Sequence, residues 1–182
     1  MLELRSRRLS LVALDEVNLR LSIHDPAQME RNLGLCPEAA MPELGIRAAL
    51  REMLSGVLCD PDNHLWYTSW QIVNREAGQV VGGLCFKGPP DAEGAVEVGY
   101  GLSPQHRGHG YMSEALRTIV GWALEQPHVE TVVAETEQWN EASQRVLQSL
   151  GFARYREAGS SIWWRLRRAT WHCRKQGTSA DQ

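Results

Sequence analysis

The chain has 182 residues, of which 43% are hydrophobic and 23% are charged, and this balance excludes a disordered or fibrous protein. A chain of this length can bury a sizeable hydrophobic core without disulfides or metal ions. Its formal net charge of −3 argues against a nucleic-acid partner. No apolar run is long enough to span a membrane and no secretory signal begins the chain, so a soluble cytoplasmic protein is the default expectation. We expect one domain over residues 1–169 and a polar, mobile tail over residues 170–182.

The first half of the chain predicts a strand, a group of helices and three further strands. Alternating apolar residues predict the first strand over Arg8–Leu14, and Asp15 is placed to cap a following helix. Apolar residues three and four positions apart between Pro26 and Gly56 predict two short helices that are broken near residues 34–37. Three strands follow, the first two joined by a hairpin turn: Trp66–Asn74, Gln79–Lys87 and Ala95–Leu102.

The second half is dominated by a long amphipathic helix. Apolar residues recur at intervals of three and four from Tyr111 to Glu125, and Pro127 ends the pattern. Asn140 is placed to cap a shorter helix, which Gly151 ends. Three more strands are predicted around these helices: Glu130–Glu135, Phe152–Arg156 and Ser161–Arg167.

A glycine-bearing segment, SPQHRGHG from Ser103 to Gly110, lies between a predicted strand and the long helix. Gly108 and Gly110 permit backbone conformations that other residues avoid, so the turn can aim consecutive N–H groups at the positive end of the helix dipole. A pyrophosphate is the natural occupant of such a site, and Arg107 adds a cation beside it. The Lys-Ser/Thr pair of a nucleoside-triphosphate site and the G-x-G-x-x-G dinucleotide motif are both missing.

Three motifs give the chain a family resemblance. The run Gln105-His-Arg-Gly108-His-Gly110 fits Q/R-x-x-G-x-G/A, so the chain resembles the GNAT superfamily of N-acetyltransferases. Val96–Tyr100 is similar to a strand motif of its ribosomal-protein N-acetyltransferase-like (RimJ/RimL-like) branch. Asn140-Glu-Ala-Ser143, followed by Leu150-Gly-Phe152, is similar to the Asn-x-x-Ser and Gly-Phe block of that branch.

The resemblance implies the GNAT fold, an α/β (α+β) architecture with a mixed, mostly antiparallel sheet of six to seven strands flanked by helices. In that fold the sheet is splayed between its fourth and fifth strands, and the pantetheine arm of acetyl-CoA lies in the gap. Backbone groups of the fourth strand would bind this arm, the loop would bind the pyrophosphate, and the start of the shorter helix would complete the site. The implied cofactor-binding residues are Tyr100, Gly101, Leu102, Gln105, His106, Arg107, Gly108, His109, Gly110, Tyr111, Asn140 and Ser143.

The resemblance also implies acetyl transfer from acetyl-CoA to a primary amine by direct attack in a ternary complex. Glu97 is the implied base, acting directly or through water, and the alternative is an ordinary outward-facing carboxylate of a strand. In many family members a tyrosine seven residues after the asparagine acts as the general acid that protonates the thiolate. This chain has Leu147 at that position. Ser143 is therefore the implied proton donor to the thiolate, and its alternative is a structural role at the helix start.

The acceptor and two other functions stay open. The amine is a protein N-terminus or a small molecule, and homodimers are common among similar proteins. A coenzyme-A-binding module without turnover is one alternative. The other is an aminoglycoside-type acetyltransferase, whose polycationic acceptor would need an acidic cleft. The candidates for such a cleft are Asp91, Glu93, Glu97, Glu135 and Glu137.

A few other side chains have alternative interpretations. His106 and His109 are three residues apart but have no third ligand in view, so we expect no metal. Trp139 and either Trp163 or Trp164 are candidates to line the acceptor pocket. The basic residues Arg165, Arg167 and Arg168 are interpreted as a solvated face of a strand.

Overall fold

The computed structural model describes residues 1–38 and 41–178, in which eight strands form one sheet of order β1-β2-β3-β4-β5-β6-β8-β7. Neighbouring strands are antiparallel except β5 and β6, which run parallel. The strands are β1 Glu3–Arg5, β2 Leu9–Ala13, β3 Ser69–Asn74, β4 Gln79–Phe86, β5 Ala95–Leu102, β6 Thr131–Glu137, β7 Ala153–Ala158 and β8 Ser161–Arg167.

Seven α-helices accompany the sheet in the described part of the chain, with single 3₁₀ turns at Pro61–Asn63 and Pro104–His106. As the sequence predicted, Asp15 caps α1 through its side chain, and Gly151 ends α6 in a left-handed conformation. The helices are α1 Glu16–His24, α2 Pro26–Asn32, α3 Leu44–Cys59, α4 His64–Tyr67, α5 Tyr111–Glu125, α6 Glu141–Leu150 and α7 Arg168–Thr178.

The main core lies between one face of the sheet and α5. The apolar face of α5 places Leu116 and Ile119 against strand residues such as Leu11 and Val98, and all four are nearly or fully buried. A second core, which joins α1, α2 and α3, packs around Leu19 and other apolar residues. The α5 face of the sheet is therefore closed by apolar packing, which leaves polar chemistry to its rims and to the opposite face.

Three expectations about the strands and helices differ from the structure. The sheet has eight strands rather than six or seven, because the three-residue β1 is too short to show an alternation. Residues 64–67 form the short helix α4, so β3 begins at Ser69 and not at Trp66. The helical region between Pro26 and Gly56 is longer than expected, because α3 continues to Cys59.

The expected mobile tail is also corrected. Residues 168–178 form α7, and the indole of Trp171 is 3% exposed within the main core. The buried Trp171 anchors this helix, and because it has no apolar neighbours at helical spacing the sequence shows no periodic signal here. Residues 179–182 lie outside the described part of the chain. In the described residues we find no helix with the length and hydropathy needed to cross a bilayer.

Candidate active site

The glycine-bearing loop delivers the chain to the start of α5 in a geometry that leaves backbone amides free. Gly108 and Gly110 have φ angles of +80° and +75°, which glycine adopts without strain. Gly110 is the N-cap residue, and because it has no side chain it cannot cap the helix. The first N–H groups of an α-helix have no partner within the helix, so those of Tyr111, Met112 and Ser113 are available to an anion.

A cleft of about 570 Å³ runs from this loop to the start of α6. Its walls come from the end of β5, from the loop and first turn of α5, and from the first turns of α6. Nine of the residues that the sequence assigned to cofactor binding line it: Tyr100, Gly101, Leu102, Arg107, Gly108, Gly110, Tyr111, Asn140 and Ser143. The other three, Gln105, His106 and His109, lie in the same loop but do not line the cleft.

The cleft opens where β5 and β6 part. The two strands pair only at Ala95–Thr131, Val96–Val132 and Glu97–Val133 among the described residues, and then they diverge. On the other edge, β5 stays paired with β4 as far as Leu102. The second half of β5 therefore has a free edge that faces the cleft.

The backbone of β5 alternates between its two neighbours. The Lys87 amide donates to the Glu97 carbonyl at 2.9 Å, so Glu97 directs its backbone groups toward β4. By alternation Gly99 and Gly101 do the same, and Gly101 pairs with Gly83. Val98, Tyr100 and Leu102 direct their N–H and C=O groups into the gap. Gly101, which the sequence placed among the backbone donors to the pantetheine, thus contributes to the cleft mainly by lacking a side chain.

Glu97 lies on the sheet face opposite α5, next to a lysine that the sequence analysis did not consider. Lys87 forms a close ion pair with Glu97, and its ammonium lies 3.6 Å from a carboxylate oxygen of Glu135. Burial lowers the pKa of Lys87, but the two carboxylates outweigh this effect and raise it. Lys87 therefore stays protonated, and it neutralises one of the two carboxylates beside it.

Tyr100 and Ser143 bring two hydroxyls together on the α5 and α6 side of the gap. Burial raises the pKa of Tyr100 to about 12, and the nearby Ser143 side chain partly offsets this effect. The phenol oxygen is enclosed by protein, so the group remains neutral and keeps its proton. Leu147 is fully buried in the core and does not reach the cleft. The sequence analysis gave Tyr100 only a backbone role.

Asn140 has the capping role that the sequence predicted. Its side-chain oxygen accepts the Ser143 amide at 3.2 Å, which closes the N-terminus of α6. The side chain also lines the cleft, where its amide NH₂ can still donate. The start of α6 is thus capped from within the chain, whereas the start of α5 is open.

A second feature that the sequence analysis missed is an arginine clamp under the loop, made by Arg8 and Glu114. Glu114, in the first turn of α5, accepts hydrogen bonds of 2.7 Å from the Arg8 amide, the Arg8 guanidinium and the Ser6 hydroxyl. The same guanidinium donates to the His109 carbonyl at 3.0 Å and lies 4.8 Å from the centre of the Tyr111 ring. The clamp fixes the loop to the turn between β1 and β2, more than 100 residues away.

The histidines of the loop and the tryptophans proposed for the acceptor pocket differ in their contacts and exposure. Among the described residues, no three His, Cys, Asp or Glu side chains come close enough to hold a metal ion, and the His109 ring stacks on Tyr111. Trp164 is buried and donates to Thr136, so it does not belong to an acceptor pocket. Trp139, by contrast, is 77% exposed at the rim of the cleft.

The proposed acidic cleft for a polycation is only partly assembled. Asp91 accepts the backbone amides of Glu93 and Ala95, so it organises the turn before β5. Glu97 and Glu135 share the ammonium of Lys87. The ammonium of Lys87 therefore reduces the negative charge at the centre of this surface, which makes it less suited to bind a polycation.

Comparison with known proteins agrees with this geometry. The family described as acetyltransferase (GNAT) domain matches residues 8–153. The uncharacterized N-acetyltransferase YjdG of Bacillus subtilis (strain 168) is 30% identical over 152 residues, which cover 84% of this chain and 90% of the relative.

Two solved structures share the fold. The ribosomal-protein-S5-alanine acetyltransferase of Vibrio fischeri is 17% identical with a TM-score of 0.69, over 94% of this chain and 99% of that one. RimL, described as a ribosomal L7/L12 alpha-N-protein acetyltransferase in complex with coenzyme A, is 16% identical with a TM-score of 0.65, over 91% and 98%. At these identities the two structures bear on the fold alone.

Proposed function

The chain is an N-acetyltransferase of the GNAT family, and from that premise we propose that it moves an acetyl group from acetyl-CoA to a primary amine. The observation that carries the proposal is the free edge of β5, which opens directly beside the uncapped start of α5. A strand edge and a helix start together match the two polar parts of the donor, an amide-rich arm and a diphosphate.

The diphosphate belongs at the loop. The free amides at the start of α5 face the position that a phosphate would occupy. The helix dipole also favours negative charge at that end. Arg107, which lines the cleft, adds a guanidinium, and its Nε donates to the Leu102 carbonyl at 3.3 Å. That contact holds the side chain at the junction of loop and strand, where it can bridge to a phosphate oxygen.

The pantetheine arm belongs in the gap between β5 and β6. Val98, Tyr100 and Leu102 present the backbone groups that a neighbouring strand would otherwise satisfy, and amide groups of the arm take that place. The Asn140 amide closes the site from the start of α6. This arrangement brings the thioester to the point where the strands part, between Glu97 on one face and the Tyr100 and Ser143 hydroxyls on the other.

Glu97 accepts the proton that the amine loses as it attacks the acetyl carbon, directly or through one water. A C–N bond forms, the C–S bond breaks, and the leaving thiolate takes a proton through the Ser143 hydroxyl, which accepts one from water in the cleft as it gives up its own. An α-amine, with a pKa near roughly 7.8, is substantially neutral at cytoplasmic pH, whereas a lysine near about 10.4 is not. Because a largely neutral amine needs little help from a base, this site suits an α-amine better than a lysine side chain.

A thiol-release assay tests this proposal. We expect purified protein to release free coenzyme A thiol from acetyl-CoA when at least one α-amine is supplied. Glu97→Gln should lower kcat by roughly 10²-fold or more, the usual contribution of a general base, with the affinity for coenzyme A unchanged.

The same assay separates the proposal from its alternatives. Binding of coenzyme A with no thiol release for any amine would contradict catalysis and support a binding module. Faster turnover of aminoglycosides than of α-amines would support the antibiotic-type enzyme. A Glu97→Gln variant with kcat within twofold of the unmodified protein would remove Glu97 from the mechanism.

A further inference from the structure

The sheet face that carries Glu97 continues across β6, β8 and β7 as an open polar surface. Opposite residues of an antiparallel pair share a face, so Glu135, Trp163 and Arg156 form one row across these strands. In the adjacent row Val133 pairs both with Glu97 and with Arg165. The side chains of Arg156 and Arg165 are exposed to solvent. We call Arg156, Trp163, Arg165 and Tyr155 the arginine–aromatic patch.

The two arginines of this patch are held by rings instead of carboxylates. The Arg156 guanidinium lies 4.8 Å from the centre of the Trp163 ring, and that of Arg165 lies 5.2 Å from the centre of the Tyr155 ring. Within the described ranges neither forms an ion pair, whereas Arg154 and Arg168 pair with Glu157 and Glu130. A stacked guanidinium is already ordered and keeps its N–H donors, so it can bind an anion with a small loss of side-chain entropy.

The patch lies within reach of an amine bound at Glu97. Neighbouring strands are about 4.8 Å apart, so the backbones of Glu97 and Arg165 are separated by about 10 Å across β6. An extended peptide advances about 3.4 Å per residue, and the long arginine side chain shortens the remaining distance. A negative group on the second or third residue of a bound peptide would therefore meet the patch. The protein thus has carboxylates beside the position of the amine and guanidinium groups farther along the sheet. A matching acceptor has a positively charged amine at one end and a negative group farther along.

We propose that the acceptor is the α-amine of a peptide with an anionic group on its second or third residue, and that the arginine–aromatic patch binds this group. The inference rests on the proposed function, because it concerns the acceptor of the same acetyl transfer. It replaces the interpretation of Arg165 as part of a merely solvated face. An acidic N-terminal peptide fits best, because one extended chain carries both the amine and the negative group at this spacing.

The test compares three amidated peptides, Ala-Asp-Asp, Ala-Asn-Asn and Ala-Lys-Lys, as acceptors of the full-length protein. We expect kcat/KM for the acidic peptide to exceed that for the neutral peptide by about tenfold, mainly through KM, and the basic peptide to be the poorest. In Arg156→Gln with Arg165→Gln the acidic peptide should lose most of this advantage, while turnover of the neutral peptide stays the same. Arg154→Gln, which removes an arginine of β7 that pairs with Glu157, is the matched control and should keep the preference.

The possible failures are distinguishable. Equal turnover of acidic and neutral peptides by the unmodified protein, or an acidic preference that survives loss of both patch arginines, would overturn the inference and leave the proposed function standing. No thiol release with any amine would contradict the proposed function itself, and the inference with it.

Discussion

The two hydroxyls of Tyr100 and Ser143 are the residue-scale feature that most directly concerns the proton on the thiolate. Leu147 occupies the position where many family members carry a tyrosine, yet a different tyrosine reaches the cleft from β5. Its raised pKa, about 12, means that Tyr100 is a stable hydrogen-bond donor and a poor final source of a proton. We propose that Ser143, which lies beside Tyr100 and lines the cleft at the start of α6, relays a proton from water to the thiolate.

Removing either hydroxyl should slow the reaction without weakening coenzyme A binding. We expect Tyr100→Phe and Ser143→Ala each to lower kcat by roughly tenfold or more, because each breaks the route by which the thiolate gains a proton. Because we propose that the two groups act as one unit, we expect the double variant to be little worse than the more damaging single variant. Steady-state kinetics together with calorimetric affinities check this. The proposal that the two hydroxyls act together would be contradicted if the losses in kcat of the two single variants multiplied in the double variant. It would also be contradicted if the variants kept kcat within twofold of the unmodified protein.

At the scale of elements, the start of α5 depends on the clamp between Arg8 and Glu114. Burial raises the pKa of Glu114, but hydrogen bonds from the Arg8 amide, the Ser6 hydroxyl and the Arg8 guanidinium outweigh it, so the pKa lies below 4.5. A carboxyl with a depressed pKa stabilises the folded state above its unfolded pKa. The contribution is lost as the pH falls through the folded-state value.

Glu114→Gln should therefore destabilise the protein at neutral pH and hardly at all in acid. Loss of charge-assisted hydrogen bonds predicts a decrease of about 1–3 kcal/mol in the free energy of unfolding at pH 7. The difference between the variant and the unmodified protein should narrow as the pH falls below 4.5. Denaturant titrations at several pH values measure this, with Glu52→Gln, which changes an exposed carboxyl of α3, as a comparison. A difference that does not change with pH would show that Glu114 acts through packing alone.

The sequence could predict the elements whose signal is local. The limits of α5 follow from the spacing of its apolar residues and from Pro127, and the open helix start follows from Gly108 and Gly110. Contacts between distant segments had no such signal. Arg8 and Glu114 are 106 residues apart, and nothing in the chain near Arg8 distinguishes it from Arg5 or Arg7.

The same reason explains which site residues were missed. The ion pair of Lys87 with Glu97 depends on the register of β4 and β5, and a shift of one residue would place the lysine on the opposite face. The ring contact between Arg156 and Trp163 depends on an irregular register between β7 and β8. The divergence of β5 and β6, which correspond to the fourth and fifth strands of the family fold, was predicted from the family resemblance. No local sequence pattern indicates it.

At the scale of the whole molecule, the proposed activity depends on one binding event that couples the free edge of β5 to the uncapped start of α5. A ligand that binds only the folded state stabilises it by about 2.7 kcal/mol at a concentration of 100 times Kd. For a chain of this size, that energy raises Tm by about 5–10 °C. Coenzyme A should therefore protect the folded protein against heat as well as give a calorimetric signal.

Calorimetric titration of coenzyme A into the unmodified protein, Arg107→Glu and Arg117→Glu tests this claim most directly. Arg117→Glu makes the same charge change on an exposed residue of α5 outside the cleft, so it controls for net charge. We predict binding to the unmodified protein and to Arg117→Glu, and at least about tenfold weaker binding to Arg107→Glu, which loses a charge-assisted contact to phosphate. Equal affinity for all three folded proteins, or no binding to the unmodified protein, would contradict the account.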